Sequence, residues 1–431
     1  MSSSKKTMAT VLLAVICIAA GWGVGYATAP PKEITKETVV TKELKVPLLK
    51  GDILIGYIAA SPGHVENTLP AVKMAFDDVN EYVKSMGVDV TFKLLAEAAE
   101  SSAVVALEKA QALYARGVRF IVGSNWSSQC KAILEYANKN KMVMISDGST
   151  SPMLAIANDY LFRLPATDET QCQALSVGVL QEIGVKALVV LQRADAWGDG
   201  NYEYISKSFP ATGGVIFDRV RYSGDKTEFS AEVKALSDVV TKATNQYGKG
   251  KVAIAIWSFD EIVPIVTEAA NYPILFEVPW IGSNGITRST RLVGEAKGPA
   301  LKMKILSMMI GVTKSSKFAS FSQRYVKLMG IDPGAYVTFA YDAVWLFAKS
   351  ILEVGEYNPE KVQKILPRVA EDYFGAGGWY KLNEYGDRFG ATFEVWTVVD
   401  EKGVPTWKHA SVFDMATGKA TWILKPSWVS T

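Results

Sequence analysis

The feature that most constrains the fold is a regular alternation of short apolar runs with segments of helical period, which begins at Gly51. Runs typical of strands include DILIGYIAA at 52–60, VRFIVGS at 118–124 and KVAIAIWS at 251–258. Between the first two, the segment 69–86 repeats apolar residues at three- and four-residue steps, which defines one buried face of a helix. Strands and helices that alternate in this way predict βαβ units and parallel sheets. The predicted fold class is therefore α/β.

The alternation falls into two series, which predicts two lobes. The first series ends at the strand-like run KMVMIS at 141–146, and a second series starts with a helical segment at 170 and ends at VPWIGS, residues 278–283. A chain of 431 residues also exceeds the roughly 250–300 that one hydrophobic core organises. The tail after Val395 predicts two or three further short strands.

Composition excludes several classes of function. With 46 Lys and Arg against 44 Asp and Glu, the formal net charge is +2, too small to gather phosphates, so no nucleic-acid partner is expected. The two His and three Cys have no spacing suited to a zinc site or a Ser/His/Asp triad. The first strand is followed by Ala59-Ala60-Ser61-Pro62-Gly63 instead of a G-x-G-x-x-G dinucleotide motif. We therefore expect no enzyme, no catalytic residues, no metal and no cofactor.

The N-terminus predicts export. Lys5 and Lys6 precede an uncharged, largely apolar stretch from Thr7 to Pro31, long enough to cross a bilayer as a helix. The triplet 27–29 (Ala-Thr-Ala) offers a cleavage site for a secretory signal, but the length of the stretch favours a retained anchor over residues 1–31. Residues 32–50 would form a tether. Either interpretation places the rest outside the cytoplasm, where Cys130 and Cys172 could form a disulfide.

Candidate ligand-binding residues follow the predicted strands, because open α/β sheets bind ligands at the carboxyl ends of their strands. These loops are rich in hydroxyl groups that suit anions and in aromatic rings that suit an apolar moiety. The alternative for the hydroxyl residues is ordinary helix capping. The candidates are Trp126, Ser127, Ser128, Ser149, Thr150, Trp197, Ser258, Phe259 and Asn284.

Several of these segments together resemble type I solute-binding proteins of ABC transporters, in particular the receptors for branched-chain amino acids. The similarity spans roughly 52–396. It is carried by the Ser-Ser pair after VRFIVGS, by VMISDGSTSP, by Gly-Asp-Gly after Trp197, by YVTFAYDAV at 336–344 and by GAGGWYKLNEYGDRFG at 375–390.

The resemblance implies two Rossmann-like lobes joined by three crossing strands, with a ligand held at the hinge. Lobe 1 would comprise 51–166 plus 310–392, and lobe 2 would comprise 167–309 plus 393–431. By the same resemblance, the hydroxyls of Ser127 and Thr150 and the backbone N–H of Ser149 would bind a ligand carboxylate, and Trp197 and Ser258 would lie where aromatic residues often contact the ligand. Asn284 stands approximately where amino-acid receptors place an acid against the ligand ammonium, a departure that puts the amino group in doubt. Asp195 or Asp260 could replace that charge, although solvated loop acids are the simpler interpretation.

The function implied is a cell-surface receptor that captures a small, amino-acid-like solute and delivers it to an ABC permease in the membrane. Two alternatives stay open. One is a sensory ectodomain, or a receptor for amides, urea or carboxylates, because the same fold serves several functions. The other is a surface protein that has lost ligand binding.

Overall fold

The computed structural model describes residues 49–429, which belong to one compact unit. The predicted anchor at 1–31 and nearly all of the tether at 32–50 lie outside the described residues. Within 49–429, no helix is both long and apolar enough to cross a membrane.

The first sheet is parallel and has the strand order β2-β1-β3-β4-β5. Its strands β3 and β4 are buried along their whole length, as expected for a sheet covered by helices on both faces. The elements of this part are β1 (Gly51–Ala59), α1 (Pro62–Ser85), β2 (Val90–Ala98), α2 (Ala103–Ala115), β3 (Phe120–Gly123), α3 (Ser127–Asn140), β4 (Val143–Ser146) and β5 (Leu161–Arg163).

The second sheet has eight strands in the order β15-β14-β13-β10-β9-β8-β6-β7. Strands β6 to β10 run parallel. The last three strands extend the sheet beyond β10, and each is antiparallel to its neighbour. The strands are β6 (Ala187–Arg193), β7 (Val215–Tyr222), β8 (Val252–Trp257), β9 (Pro279–Gly282), β10 (Lys304–Ile310), β13 (Thr392–Glu401), β14 (Val404–Asp414) and β15 (Lys419–Trp422). The helices are α4 (Asp168–Leu175), which continues as a π-helical turn (Ser176–Gln181), α5 (Ala196–Ala211), α6 (Ser230–Tyr247), α7 (Ile262–Ala269), α8 (Thr290–Glu295) and α9 (Lys297–Lys302).

Between β10 and β13 the chain returns to the first sheet, where α11 packs on α1 and on β3. The described chain therefore passes between the sheets after β5, after β10 and before β13. The returning elements are α10 (Ser316–Met329), α11 (Gly334–Val354), α12 (Pro359–Asp372) and the short hairpin β11 (Phe374–Gly375) and β12 (Gly378–Trp379). Short 3-10 helices lie at Pro152–Leu154, Lys249–Lys251 and Pro273–Phe276. The exact lobe boundaries given above stay a prediction.

A buried ion pair fastens the first sheet to the segment that precedes β13. Arg163 is fully buried and donates from Nε to Asp387 Oδ1 at 2.5 Å and from Nη2 to Oδ2 at 2.6 Å. Its Nη1 also donates to the carbonyl of Ser151, at 2.5 Å. A bidentate guanidinium–carboxylate pair fixes both partners in orientation as well as distance. The pair thus holds the loop after β4 at the point where the chain leaves the first sheet.

The cysteines do not form the disulfide that the sequence left open. Cys130 and Cys172 are both free and fully buried. The Cys130 thiol donates to the carbonyl of Ser124 at 2.8 Å. Burial raises the pKa of this thiol to about 11, so it stays protonated and packs as a small apolar side chain.

Candidate functional site

The loops after β3 and β4 are joined by hydroxyl hydrogen bonds. Ser124 adopts a left-handed conformation with φ of 49°, which turns the chain sharply after β3. Ser146 Oγ donates to the Ser124 carbonyl at 3.2 Å and accepts the backbone N–H of Ser149 at 2.9 Å. The N–H of Ser149, which the resemblance assigns to a ligand carboxylate, is therefore bonded within the protein.

Ser127 offers a hydroxyl proton to the cavity between the loops of the two sheets, which we call the cleft. Its Oγ accepts hydrogen bonds from Ser149 Oγ at 3.0 Å and from the backbone N–H of Ser151 at 3.2 Å. These bonds occupy its lone pairs and leave its own proton available. The N-cap position of α3 is Trp126, so neither Ser127 nor Ser128 is the N-cap residue.

Thr150 has a different arrangement, because its hydroxyl is fully engaged. Oγ1 donates to Asp168 Oδ2 at 2.7 Å and accepts from Asn284 Nδ2 at 3.3 Å. The second bond joins the loop after β4 of the first sheet to the loop after β9 of the second. Another bond of this kind runs from Ser151 Oγ to the carbonyl of Ala196 at 2.7 Å. The two sets of loops are therefore in direct contact.

Three stacked aromatic rings form one wall where the loops meet. The Phe259 ring lies between Trp126, at a centroid distance of 4.9 Å, and Trp197, at 4.5 Å, and both pairs are close to parallel. The guanidinium of Arg193 lies 4.9 Å from the Phe259 centroid. Trp197 is positioned by Asp195, which caps α5 by accepting the N–H groups of residues 197 and 198.

These loops enclose a cavity of about 170 Å³. Six of the nine predicted residues line it: Trp126, Ser127, Thr150, Trp197, Phe259 and Asn284. Five other lining residues were not predicted from the sequence: His64, Asn125, Gly148, Gly285 and Tyr336. Three of these, Asn125, Gly148 and Gly285, neighbour predicted residues in the same loops, and Tyr336 opens the YVTFAYDAV segment.

The other three predicted residues do not line the cavity. Ser149 lies behind Ser127 and is almost fully buried. Ser258 is buried, and its hydroxyl donates to the carbonyl of Phe259 at 3.4 Å. Ser128 is half-buried on the first turn of α3. Ser149 still supports the cavity indirectly, because its hydroxyl donates a hydrogen bond to the lining side chain of Ser127.

The cavity lining has no ionised side chain at neutral pH. No Asp, Glu, Lys or Arg lines it, and burial lowers the pKa of His64 to about 4, so this imidazole is neutral. Three polar atoms on the lining have no hydrogen-bond partner among the described residues: Asn125 Nδ2, Asn284 Oδ1 and the Tyr336 hydroxyl. Buried polar atoms are normally paired, so these atoms are available to a ligand.

Two buried acids lie directly behind the lining. Asp147 is fully buried, and neither of its carboxyl oxygens has a partner among the described residues. Asp168 is also fully buried and accepts the hydroxyl of Thr150. Burial raises the pKa of each carboxyl to about 7.

From the sequence, Asp195 and Asp260 were candidates to replace the charge missing at Asn284. Neither acid lines the cavity. Asp195 is engaged as the cap of α5. The Asp260 side chain is 69% exposed and lies 3.2 Å from Arg291 Nη1.

Comparison with known families identifies the relatives of this chain. The profile of the receptor family ligand binding region matches residues 67–401. The chain belongs to this family. The resemblance to type I solute-binding proteins is thereby confirmed.

Two relatives and one solved structure are similar to this chain over most of their own length. An uncharacterized protein of Methanocaldococcus jannaschii is 27% identical over 406 residues, covering 90% of this chain and 95% of the relative. The leucine-, isoleucine-, valine-, threonine- and alanine-binding protein of Pseudomonas aeruginosa is 23% identical, covering 68% of this chain and 75% of the relative. The crystal structure of the leucine-binding protein LivK from Thermotoga maritima superposes with a TM-score of 0.68 at 19% identity, covering 85% of this chain and 99% of that one. The α/β fold is therefore that of a solute-binding protein.

Proposed function

We propose that the protein is a non-enzymatic, extracytoplasmic solute receptor that captures a small solute and delivers it to an ABC permease. The observation that supports this proposal is the cavity of about 170 Å³, whose lining comes from loops of both sheets. Hydrogen bonds such as Asn284 to Thr150 link the two sets of loops across the cavity. Closure of two lobes over a solute buries the ligand and changes the surface that a permease would recognise.

The lining favours a small solute with a carboxylate or amide group and a compact apolar part. Ser127 and Asn125 provide donors, Asn284 provides an acceptor, and Tyr336 can act as either. The three stacked rings provide the apolar wall. A branched-chain amino acid fits this description, and the relatives named above include receptors for such amino acids.

A solute without an amine is the second candidate, favoured by the neutral lining. Charge-assisted hydrogen bonds are roughly twice as strong as neutral ones. The Asn284 amide therefore binds an ammonium group more weakly than a carboxylate at the same position would. Leucine, 4-methylpentanoate and leucinamide form a matched set, because the second lacks the amine and the third lacks the carboxylate.

The test is a thermal-shift and calorimetric comparison of these three compounds, with urea and simple amides added, on the full-length protein in nonionic detergent. A ligand present at 100 times its Kd should stabilise the protein by about 2.7 kcal/mol. Ser127→Ala should abolish or strongly weaken binding, and the matched control Ser128→Ala should leave it unchanged, because Ser128 does not line the cavity. Equal loss in both variants would contradict the assignment of the cavity.

The variant Asn284→Asp decides between the two ligand classes. If the ligand has an ammonium, a carboxylate at this position should strengthen leucine binding by about tenfold. If the ligand lacks an amine, the same variant should weaken 4-methylpentanoate binding through like-charge repulsion. If none of the compounds binds any variant, the solute-receptor proposal fails and a purely structural role is favoured.

The location of the protein is part of the same proposal. We expect the chain from about residue 50 onward to lie outside the cytoplasm, held by an N-terminal helix or released after Ala29. The intact mass of protein purified from membranes distinguishes a retained segment from a cleaved one. Recovery of the uncleaved chain in the soluble cytoplasmic fraction would contradict both.

A further inference from the structure

A second groove lies away from the cleft, on the outer helical layer of the first sheet. It has a volume of about 350 Å³, larger than the cleft cavity. Its walls come from α1, α10, α11 and the segment that follows α12. We call it the lysine groove, and its lining residues are Tyr82, Lys317, Ser320, Phe321, Arg324, Tyr341, Trp345, Lys349, Tyr373 and Ala376.

Aromatic rings form most of the groove. Tyr82 and Trp345 meet edge to face with centroids 5.5 Å apart, and Phe321 and Tyr341 lie 4.6 Å apart. Tyr373 completes the set and is nearly buried. Aromatic rings prefer edge-to-face and offset-stacked contacts, so a ligand ring in the groove can extend this cluster.

Two lysines point their ammonium groups at the same tyrosine. Lys349 Nζ lies 5.8 Å from the Tyr373 centroid, and Lys317 Nζ lies 5.7 Å from it. Lys349 is half-buried, and its ammonium is also 5.2 Å from the ring of Tyr82. Lys317 Nζ also donates to the carbonyl of Phe374 at 2.6 Å. Among the described residues, no carboxylate lies within ion-pair distance of either lysine.

Two carboxylates contact side chains that line the groove, and both are already hydrogen-bonded. Asp342 accepts the hydroxyl of Tyr373 at 3.0 Å. Asp78 accepts two hydrogen bonds from Arg324, at 2.8 and 2.9 Å, and one from the Tyr341 hydroxyl at 2.6 Å. Elsewhere, a lysine over a tyrosine has its own acid: Lys207 lies 4.9 Å from the Tyr204 ring and 2.6 Å from Glu203. Unlike Lys207 and Arg324, the two lysines of the groove therefore have no acid partner among the described residues.

We propose that the lysine groove binds a small aromatic carboxylate. The ligand ring packs against the aromatic walls, and its carboxylate lies between the ammonium groups of Lys317 and Lys349. A cavity of roughly 150 Å³ accommodates benzene, so the groove has room for a bicyclic ring with a short carboxylate arm. Both attractions, ion pairing and ring stacking, act on one molecule only if it has both groups.

The experiment measures binding of indole-3-acetate to the full-length protein in nonionic detergent by calorimetry, with indole-3-acetamide as the uncharged counterpart. We expect the acid to bind and the amide to bind at least tenfold more weakly. Lys349→Met and Lys317→Met should each weaken the binding of indole-3-acetate by about tenfold. Each variant removes one of the two ammonium groups and keeps a side chain of similar length. Raised salt should also weaken binding.

Two controls make the result specific to this groove. Lys207→Met removes a lysine that also lies over a tyrosine but has an acid partner, and it should leave indole-3-acetate binding unchanged. Ser127→Ala, which alters the cleft, should also leave it unchanged. The proposal is overturned if indole-3-acetate does not bind, if the amide binds equally well, or if affinity falls in Ser127→Ala and not in the lysine variants.

Folding of the variants is checked without ligand. Lys349 has no hydrogen-bond or ion-pair partner among the described residues, so Lys349→Met should not lower the melting temperature. Lys317→Met loses the hydrogen bond to the Phe374 carbonyl and should lower it only slightly. A large loss of thermal stability in both would show that the lysines serve the fold, and would count against a ligand role.

Discussion

Asp147 gives the sharpest quantitative test of the electrostatics around the cleft. Its carboxyl is fully buried next to Gly148, and neither oxygen has a partner among the described residues. Burial raises its pKa from 3.8 to about 7. The folded protein therefore keeps this proton up to about pH 7, whereas the unfolded chain releases it near pH 4. We predict that Asp147→Asn removes a pH-dependent cost to stability.

The magnitude follows from linkage. For an acid whose pKa is raised on folding, the free energy of unfolding falls as pH rises from the unfolded pKa to the folded pKa, and then levels off. One pKa unit corresponds to about 1.36 kcal/mol, so this shift costs about 4 kcal/mol at pH 7, about 2 kcal/mol at pH 5, and almost nothing below pH 3.5. Asparagine does not titrate and has none of this dependence.

The assay is urea unfolding of wild type and Asp147→Asn at pH 5 and pH 7, followed by circular dichroism. The stability difference between the two proteins should shift by about 2 kcal/mol in favour of the variant between these pH values. Any pH-independent effect of the amide cancels in this comparison. The matched control is Asp372→Asn, whose side chain is 71% exposed and stays hydrated in the folded protein. An equal difference at both pH values would refute the reasoning.

Three further substitutions test packing and charge. In Gly148→Ala the new Cβ would overlap the Asn125 side chain, so cleft affinity measured by calorimetry should fall about tenfold; unchanged affinity would show that the amide plays no part. Asp387→Asn leaves Arg163 buried without its counter-charge and should destabilise the protein by about 3–5 kcal/mol in urea unfolding, a loss that Asp372→Asn should not show. Phe259→Leu removes both ring stacks and should cost about 1–3 kcal/mol with a weaker near-UV signal from tryptophan, and an intact signal would contradict the stacking.

Much of the fold could be predicted because its strands are buried on both faces. Continuous apolar runs such as VMIS at 143–146 are typical of such strands, and the structure confirms them. The strand β5 at 161–163 was missed, because three residues give too short a pattern. The helix α1 begins at Pro62 instead of residue 69, because proline suits the first turn of a helix and Pro70 does not break it.

The cleft residues could be predicted by position but not by role. Ser127 and Thr150 are both hydroxyl residues after strands, and the sequence treats them alike. In the structure the Ser127 hydroxyl has no acceptor for its proton, whereas the Thr150 hydroxyl donates a hydrogen bond to Asp168. The difference arises because Asp168 reaches the loop after β4 from the start of α4, beyond the crossing that follows β5. No local pattern encodes such a contact.

The two buried acids behind the cleft lead to a prediction that separates the two ligand classes. Asp147 and Asp168 lie behind a neutral lining, and burial raises the pKa of each to about 7. A ligand ammonium would favour their ionised forms, so leucine affinity should rise about tenfold between pH 6 and pH 8 if one of them must lose its proton. A carboxylate without an amine would be repelled by the same ionisation, so 4-methylpentanoate affinity should fall over that range. Calorimetry in buffers of different ionisation enthalpy also reports the proton released or taken up. If neither ligand shows a pH dependence, the buried acids are not coupled to the cleft.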